Sequence, residues 1–388
     1  MADSFIPYGR QDISEDDVKA VVECLRSDFL TQGTQVPAFE CAVAQTVGAA
    51  HAVAVNSATS ALHVACMALE LGPGDWLWTV PNTFVASANC AIYCGAQVDF
   101  VDIDPATYTM CTSALETNLR AAKDNGRLPK VIVPVHLCGQ SSDMEAIAKL
   151  ANGYGIKIIE DASHSIGATH QGRPVGDCKY SDITVFSFHP VKIITTCEGG
   201  VATTQDKGLA RRMELARNHG ITREPSEMSH EPDGSWYYQQ ISLGYNYRMT
   251  EIQAALGLSQ LKRLDQFVER RRALASQYNA LLSSLPLQLP FQNPENASSW
   301  HLYVVRVAAN IHASVFKHMR TAGIGVNLHY IPIHTHPYYQ AMGFNYGQFP
   351  EAESYYAEAI SIPLYAGMSD EDQQRVVMVL THALKVNE

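Results

Sequence analysis

KVIVPVHLCGQSSDMEAIAKLANGYGIKIIED, residues 130–161, is the stretch from which the fold can be read. Its two ends, KVIVPVH (130–136) and KIIED (157–161), are apolar almost throughout and not merely at every second position, the pattern of strands covered on both faces. The residues between them are enough for a helix. The stretch therefore reads as strand, helix, strand, the repeating unit of a parallel sheet. Similar runs lie on either side: HAVAVN (51–56), WLWTV (76–80) and QVDFVD (97–102) before it, ITVFSF (183–188) and GGVATT (199–204) after it, the last leading into a helix over about 206–218. Ser14, followed by Glu15, Asp16 and Asp17, carries the capping chemistry of a first helix that runs to about Ser27.

The remainder of the chain is organised differently. Residues 220–245 hold Pro, Gly, Ser and a Trp-Tyr-Tyr cluster without period and read as a long loop. One long helix is expected over about 250–282, then the linker SSLPLQLPFQNPENASS (283–299). Beyond it come a strand at HLYVVRV (301–307), a helix near 312–322, a strand after Gly325 and two late helices. The expectation is an α/β protein: a large domain over 1–250 with a mostly parallel sheet, a connecting helix over 251–284, and a smaller α/β domain over 285–388.

Composition narrows the function. With 28 Lys plus Arg against 39 Asp plus Glu, the net charge is −11, which argues against a nucleic-acid partner; the longest basic block, Arg270-Arg271-Arg272, reads as a solvated helix face. Nine cysteines with no Cys-x-x-Cys pair argue against a disulfide framework or a ribbon-type zinc site. The start, Met1-Ala2-Asp3, lacks a basic segment followed by an apolar run, and a cytoplasmic protein is expected. Residues 76–98 carry no charge and are long enough to span a bilayer, but with Pro81, Asn82, Ser87 and Asn89 inside them they read as strand, loop and helix, not as a membrane span.

Ligands of open parallel sheets sit at the carboxyl ends of the strands. Neither G-x-G-x-x-G nor G-x-x-x-x-G-K-[ST] is present there. Ser57-Ala58-Thr59-Ser60 follows the first strand at a helix start, where free N–H groups and hydroxyls can cradle a phosphate, or where Ser57 is simply a cap. Asp161 ends a buried strand and calls for a cation or donors. Between Asp182 and Glu198 the one formally charged residue is Lys192. Apolar surroundings lower a lysine toward roughly pH 7 to 8 and supply the neutral amine of a Schiff base; the alternative is a lysine that snorkels out of a loop.

The motifs NSATSAL (56–62), PNTFVAS (81–87), EDASHSIGA (160–168), FSFHPVKIITTCEGG (186–200) and LGYNYRMTEIQAALGLSQL (243–261) together resemble the DegT/StrS family of sugar-nucleotide aminotransferases, in the family's order and over nearly the whole chain. The resemblance implies the aspartate-aminotransferase fold with pyridoxal phosphate as cofactor. Lys192 would hold the cofactor covalently and carry protons, Asp161 would face the pyridine nitrogen, Phe84 would stack on the ring, and His164 would stand near the ring hydroxyl. Ser57, Ala58, Thr59 and Ser187 would bind the phosphate, with Asn246 reaching the phosphate of a neighbouring subunit in a homodimer with shared sites. FHPVK (188–192) and HYIPIHTHPYY (329–339) look most like members that act in pseudaminic acid synthesis, implying L-glutamate and a UDP-linked 4-keto-6-deoxy-N-acetylhexosamine as partners. His329 and Tyr330, and near the start Tyr8, Thr31 and Gln32, would contact that substrate. Dehydratases of the family carry histidine where this chain has Lys192, so amino transfer is favoured. Metal binding by His329, His334 and His336 is not expected, since no H-E-x-x-H accompanies them.

Overall fold

The computed structural model describes residues 5–386. The first helix, α1 (Glu15–Leu25), starts where expected: Ser14 accepts from the Asp17 amide while the Asp17 carboxylate accepts from the Ser14 amide. It is followed by α2 (Gln35–Val47), β1 (His51–Val55), α3 (Ala58–Ala68), β2 (Trp76–Thr79), α4 (Ala86–Tyr93), β3 (Gln97–Phe100), β4 (Val131–Val133) and β5 (Lys157–Asp161). A two-residue hairpin, β6 (Thr169–His170) and β7 (Arg173–Pro174), precedes β8 (Ile183–Ser187) and β9 (Gly200–Thr204). Seven strands form the central sheet in the order β1-β9-β8-β5-β4-β2-β3. All run parallel except β9, which pairs antiparallel with both β1 and β8.

Two-sided burial explains the apolar runs. Successive side chains of a strand point to opposite faces. Val53, Val55 and Val185 accordingly enter the core that holds Leu62, Leu77 and Ile132, whereas Ala54 and Phe186 enter the one that holds Phe39, Val43 and Phe267. A third core joins Tyr303, Val305, Met319, Val376 and Leu380 to Ile6 near the start of the chain, which exchanges backbone hydrogen bonds with Gly323 and Gly325.

Three expectations are corrected. The helix expected over 250–282 is two helices, Glu251–Leu261 and Leu264–Leu282. At the break Arg263 leaves helical geometry (φ −104°, ψ 8°), and its guanidinium donates to Asp12 and Asp17 at 2.6 and 2.5 Å. Among the described residues no strand starts directly after Gly325. Asn327 makes a single bridge to Ser361, its own carboxamide accepts from the Leu328 amide, and the Tyr330 amide donates to Asn82; the strand that pairs with Tyr303–Arg306 is Ala359–Ile362. The basic triplet is also not a solvated face. Arg271 is 2% exposed and donates to the carbonyls of Trp300, His301 and Leu364, with burial drawing its guanidinium down to about 10.

Residues 220–245 are largely irregular, with a two-residue pairing of Ile221–Thr222 and Gln239–Gln240. Among the described residues no helix is long and apolar enough to cross a membrane. The uncharged stretch 76–98 resolves into β2, α4 and the start of β3.

Candidate active site

A cavity of about 560 Å³ opens where β1, β5 and β8 end and the antiparallel β9 begins. Because β9 runs against its neighbours, the loop from Ser187 to Gly200 lies along this edge and brings Lys192 into the cavity wall with Leu62, Ala86, Val135 and Val191. Desolvation lowers the Lys192 amine from 10.5 to about 8, and the nearby Asp161 charge opposes the shift. At pH 7 about a tenth of such an amine is neutral, against about one part in 3,000 for an exposed lysine. Capture of an aldehyde at Lys192, followed by borohydride trapping over a pH series, is therefore expected to rise through a midpoint near 8. The neutral form is gained as pH rises through the lowered value, so a midpoint above 10 contradicts the desolvated site.

Asp161 ends β5 and is 5% exposed. One carboxylate oxygen accepts from Ser87 Oγ at 2.6 Å and the other from the Ser163 amide at 3.1 Å. On the far side of the cavity Ser57 caps α3, its hydroxyl accepting from the Ser60 amide at 3.1 Å. The Ala58 and Thr59 amides stand in the first turn of α3, where the helix offers them no partner, and they line the cavity beside Ser187. Gly200 makes this corner possible: a Cβ there would lie 2.6 Å from the Ala58 nitrogen and the Ser57 carbonyl carbon. Phe84 also lines the cavity and is 56% exposed, with the Tyr330 ring tilted against it at 6.1 Å.

His164 is buried, accepts from the Cys138 amide at Nδ1 (3.3 Å) and faces Tyr330 Oη at Nε2 (3.2 Å). Burial and the Lys192 charge hold it well below 6.5, so it is neutral, its proton is on Nε2, and it donates to Tyr330. Burial likewise raises the Tyr330 phenol and takes His329 down to about 3. His329 bonds to Ser361 Oγ at 2.8 Å, and its ring is 5.3 Å from that of Tyr8, which also reaches the cavity. The three histidines considered for metal diverge: His334 pairs with Glu353 at 2.9 Å, away from His329, and His336 caps a short helix.

Thr31, Gln32 and Asn246 are not in this cavity. All three are exposed, and the loop of Thr31 and Gln32 is tied to Glu251, a few residues beyond Asn246, through the Leu30 carbonyl. Six further polar residues line the cavity without a sequence expectation attached to them: Thr83, Ser163, His189, Glu198, His301 and Asn327. His189 and Glu198 flank Lys192 in the segment of low charge, whereas His301 stands in sequence at the start of a strand-like run. Its ring packs on His164 at 4.3 Å.

The donor set fits pyridoxal phosphate: a helix start with two hydroxyls for a phosphate, a held carboxylate for a protonated ring nitrogen, an exposed aromatic for a ring face, and a readily neutralised lysine for an aldehyde. Residues 11–381 match the DegT/DnrJ/EryC1/StrS aminotransferase family. The spore coat polysaccharide biosynthesis protein SpsC of Bacillus subtilis is 39% identical, covering 98% of this chain and 97% of that protein. Helicobacter pylori PseC, an aminotransferase involved in the biosynthesis of pseudoaminic acid, superposes with a TM-score of 0.90 at 30% identity, over 99% of this chain and all of its own. The PLP form of the putative sugar aminotransferase Spr1654 of Streptococcus pneumoniae superposes at 0.89 with 28% identity, over 98% and 99% of the two chains. Sequence, fold and donor set agree: the chain belongs to the DegT/DnrJ/EryC1/StrS aminotransferase family and is a pyridoxal-phosphate-dependent enzyme.

Proposed function

We propose that this enzyme moves the amino group of L-glutamate onto the C4 ketone of a UDP-linked 4-keto-6-deoxy-N-acetylhexosamine, an acceptor of the pseudaminic acid type. The observation that carries the reading is the placement of Lys192, Asp161 and the first turn of α3 around one cavity, in a chain that superposes on PseC over its whole length. When bound, pyridoxal phosphate supplies the carbonyl that takes up the amino group and a ring that withdraws electrons from the donor Cα. Asp161 keeps a proton on the ring nitrogen. Lys192 Nζ would hold the cofactor's aldehyde and, as a free amine, would take the proton from the donor's Cα. Ser57, Ser187 and the amides of Ala58 and Thr59 would anchor the phosphate and Phe84 would cover one ring face, while His164, whose one proton goes to Tyr330, would stand near the ring oxygen and hold the Tyr330 hydroxyl in place. Tyr8, His329 and Tyr330 line the side where the sugar enters.

Thr31, Gln32 and Asn246 lie on the surface, which suits a homodimer in which Asn246 completes the partner's phosphate site and Thr31 and Gln32 its sugar pocket. The enzyme works in the cytoplasm, on soluble substrates. A second reading is another nucleotide-linked keto sugar (UDP- or dTDP-, ketone at C3 or C4); the chain is also 39% identical to SpsC, a spore coat polysaccharide biosynthesis protein. The two are separated by offering the pyridoxamine-phosphate form a panel of UDP- and dTDP-linked 3-keto and 4-keto sugars and comparing kcat/KM from loss of the pyridoxamine signal. The UDP-linked 4-keto-N-acetylhexosamine is expected to exceed the others by at least about tenfold, since its recognition groups would otherwise face unpaired partners. A faster dTDP- or 3-keto sugar overturns the choice.

A further inference from the structure

The carboxylate of Asp161 is not held by its own strand. Ser87 Oγ donates to Asp161 Oδ2 at 2.6 Å, and Thr83 Oγ1 stands 3.0 Å behind Ser87 Oγ. With its hydrogen committed to the carboxylate, Ser87 accepts from Thr83, which sets one direction for the chain of donors from Thr83 through Ser87 to Asp161. All three residues are buried, at 2%, 0% and 5% exposure. A carboxylate in such a place is costly unless donors replace the lost water, and a donor to a charged group is among the stronger hydrogen bonds. The Ser163 amide holds the second oxygen at 3.1 Å, so the plane of the carboxylate is fixed from two sides.

Ser87 is also in the first turn of α4, its amide donating to the Phe84 carbonyl at 3.2 Å. The turn that leads into α4 thus carries both the exposed Phe84 ring and the hydroxyl that orients Asp161. We infer that Ser87, backed by Thr83, is a positioning residue for Asp161: through it the segment 81–87 sets the ring nitrogen's partner and the ring's stacking face as one rigid unit. The inference rests on the reading of Asp161 as the partner of the ring nitrogen.

Ser87→Ala frees one carboxylate oxygen without touching Lys192 or the phosphate anchors. Titrating the apoprotein with pyridoxal phosphate is expected to show roughly tenfold weaker binding, the scale of one hydrogen bond to a charged group. The visible circular dichroism of the bound cofactor, which reports ring orientation, is expected to weaken, with the thermal midpoint of the apoprotein as the control for packing. Thr83→Val keeps the volume and removes only the outer donor; a loss of roughly threefold in the same direction is expected. Wild-type affinity and dichroism in Ser87→Ala overturn the inference, and so does the same result in Thr83→Val if Ser87→Ala does not fold. Asp161→Asn separates the two levels: unchanged binding and dichroism there would refute the reading of Asp161 itself, whereas a changed Asp161→Asn beside an unchanged Ser87→Ala refutes the inference alone.

Discussion

Lys192→Ala is expected to lose at least about 10³-fold in amino transfer, the scale of a positioned acid–base group, and all covalent retention of the cofactor. Lys192 is the single formal charge between Asp182 and Glu198, in a segment made mostly of Ile, Val, Thr and Phe. The fold then puts that charge in the cavity wall, where desolvation brings the amine to about 8. No other lysine lines the cavity among the described residues. Alanine removes both the amine that captures an aldehyde and the base that carries a proton, while Ser57, Ser187 and Asp161 still hold a noncovalent cofactor. The variant should therefore bind pyridoxal phosphate in a dialysable form. Stopped-flow transamination and gel filtration of the loaded variant check the two halves, and turnover within tenfold of wild type contradicts the role.

Asp161→Asn is the second large effect, at about 10² to 10³-fold in kcat/KM, the cost of removing one preorganised electrostatic partner. The substitution hardly changes volume, so the β5 end should keep its packing. What changes is the donor pattern: Ser87 and Ser163 both donate to the carboxylate now, and an amide offers them one acceptor oxygen in place of two. Its NH₂ would then confront a donor in a buried site, and the negative charge that favours a proton on the ring nitrogen is gone. The visible absorption of the loaded variant and its single-turnover rate with the donor amino acid measure this. A rate equal to wild type excludes Asp161 as the partner of that nitrogen.

How far the sequence could be read depended on whether a feature is local. All seven central strands were legible as apolar runs because both faces of that sheet are covered. Lys192 was legible because a charge without charged neighbours is visible in one dimension, and Asp161 because a carboxylate closing an apolar strand is conspicuous. Arg263 was not, since no Gly or Pro marks the helix break there and its partners, Asp12 and Asp17, are about 250 residues away. Arg271 read as surface for the same reason: the carbonyls of Trp300, His301 and Leu364 that enclose it belong to another part of the chain. The segment after Gly325 has strand-like composition, but past the one bridge at Asn327 the Leu328 and Tyr330 amides are taken by the side chains of Asn327 and Asn82. His301 enters the cavity because its chain crosses behind His164, which no periodicity encodes.

The central claim is that Lys192 is where this enzyme joins its cofactor. The direct measurement is borohydride reduction of the holoenzyme followed by proteolysis and mass mapping of the modified peptide. The account predicts one pyridoxyl-phosphate adduct per chain, on the peptide that carries Lys192. An adduct on a different lysine, or a reduced holoenzyme with no covalent adduct, would contradict it.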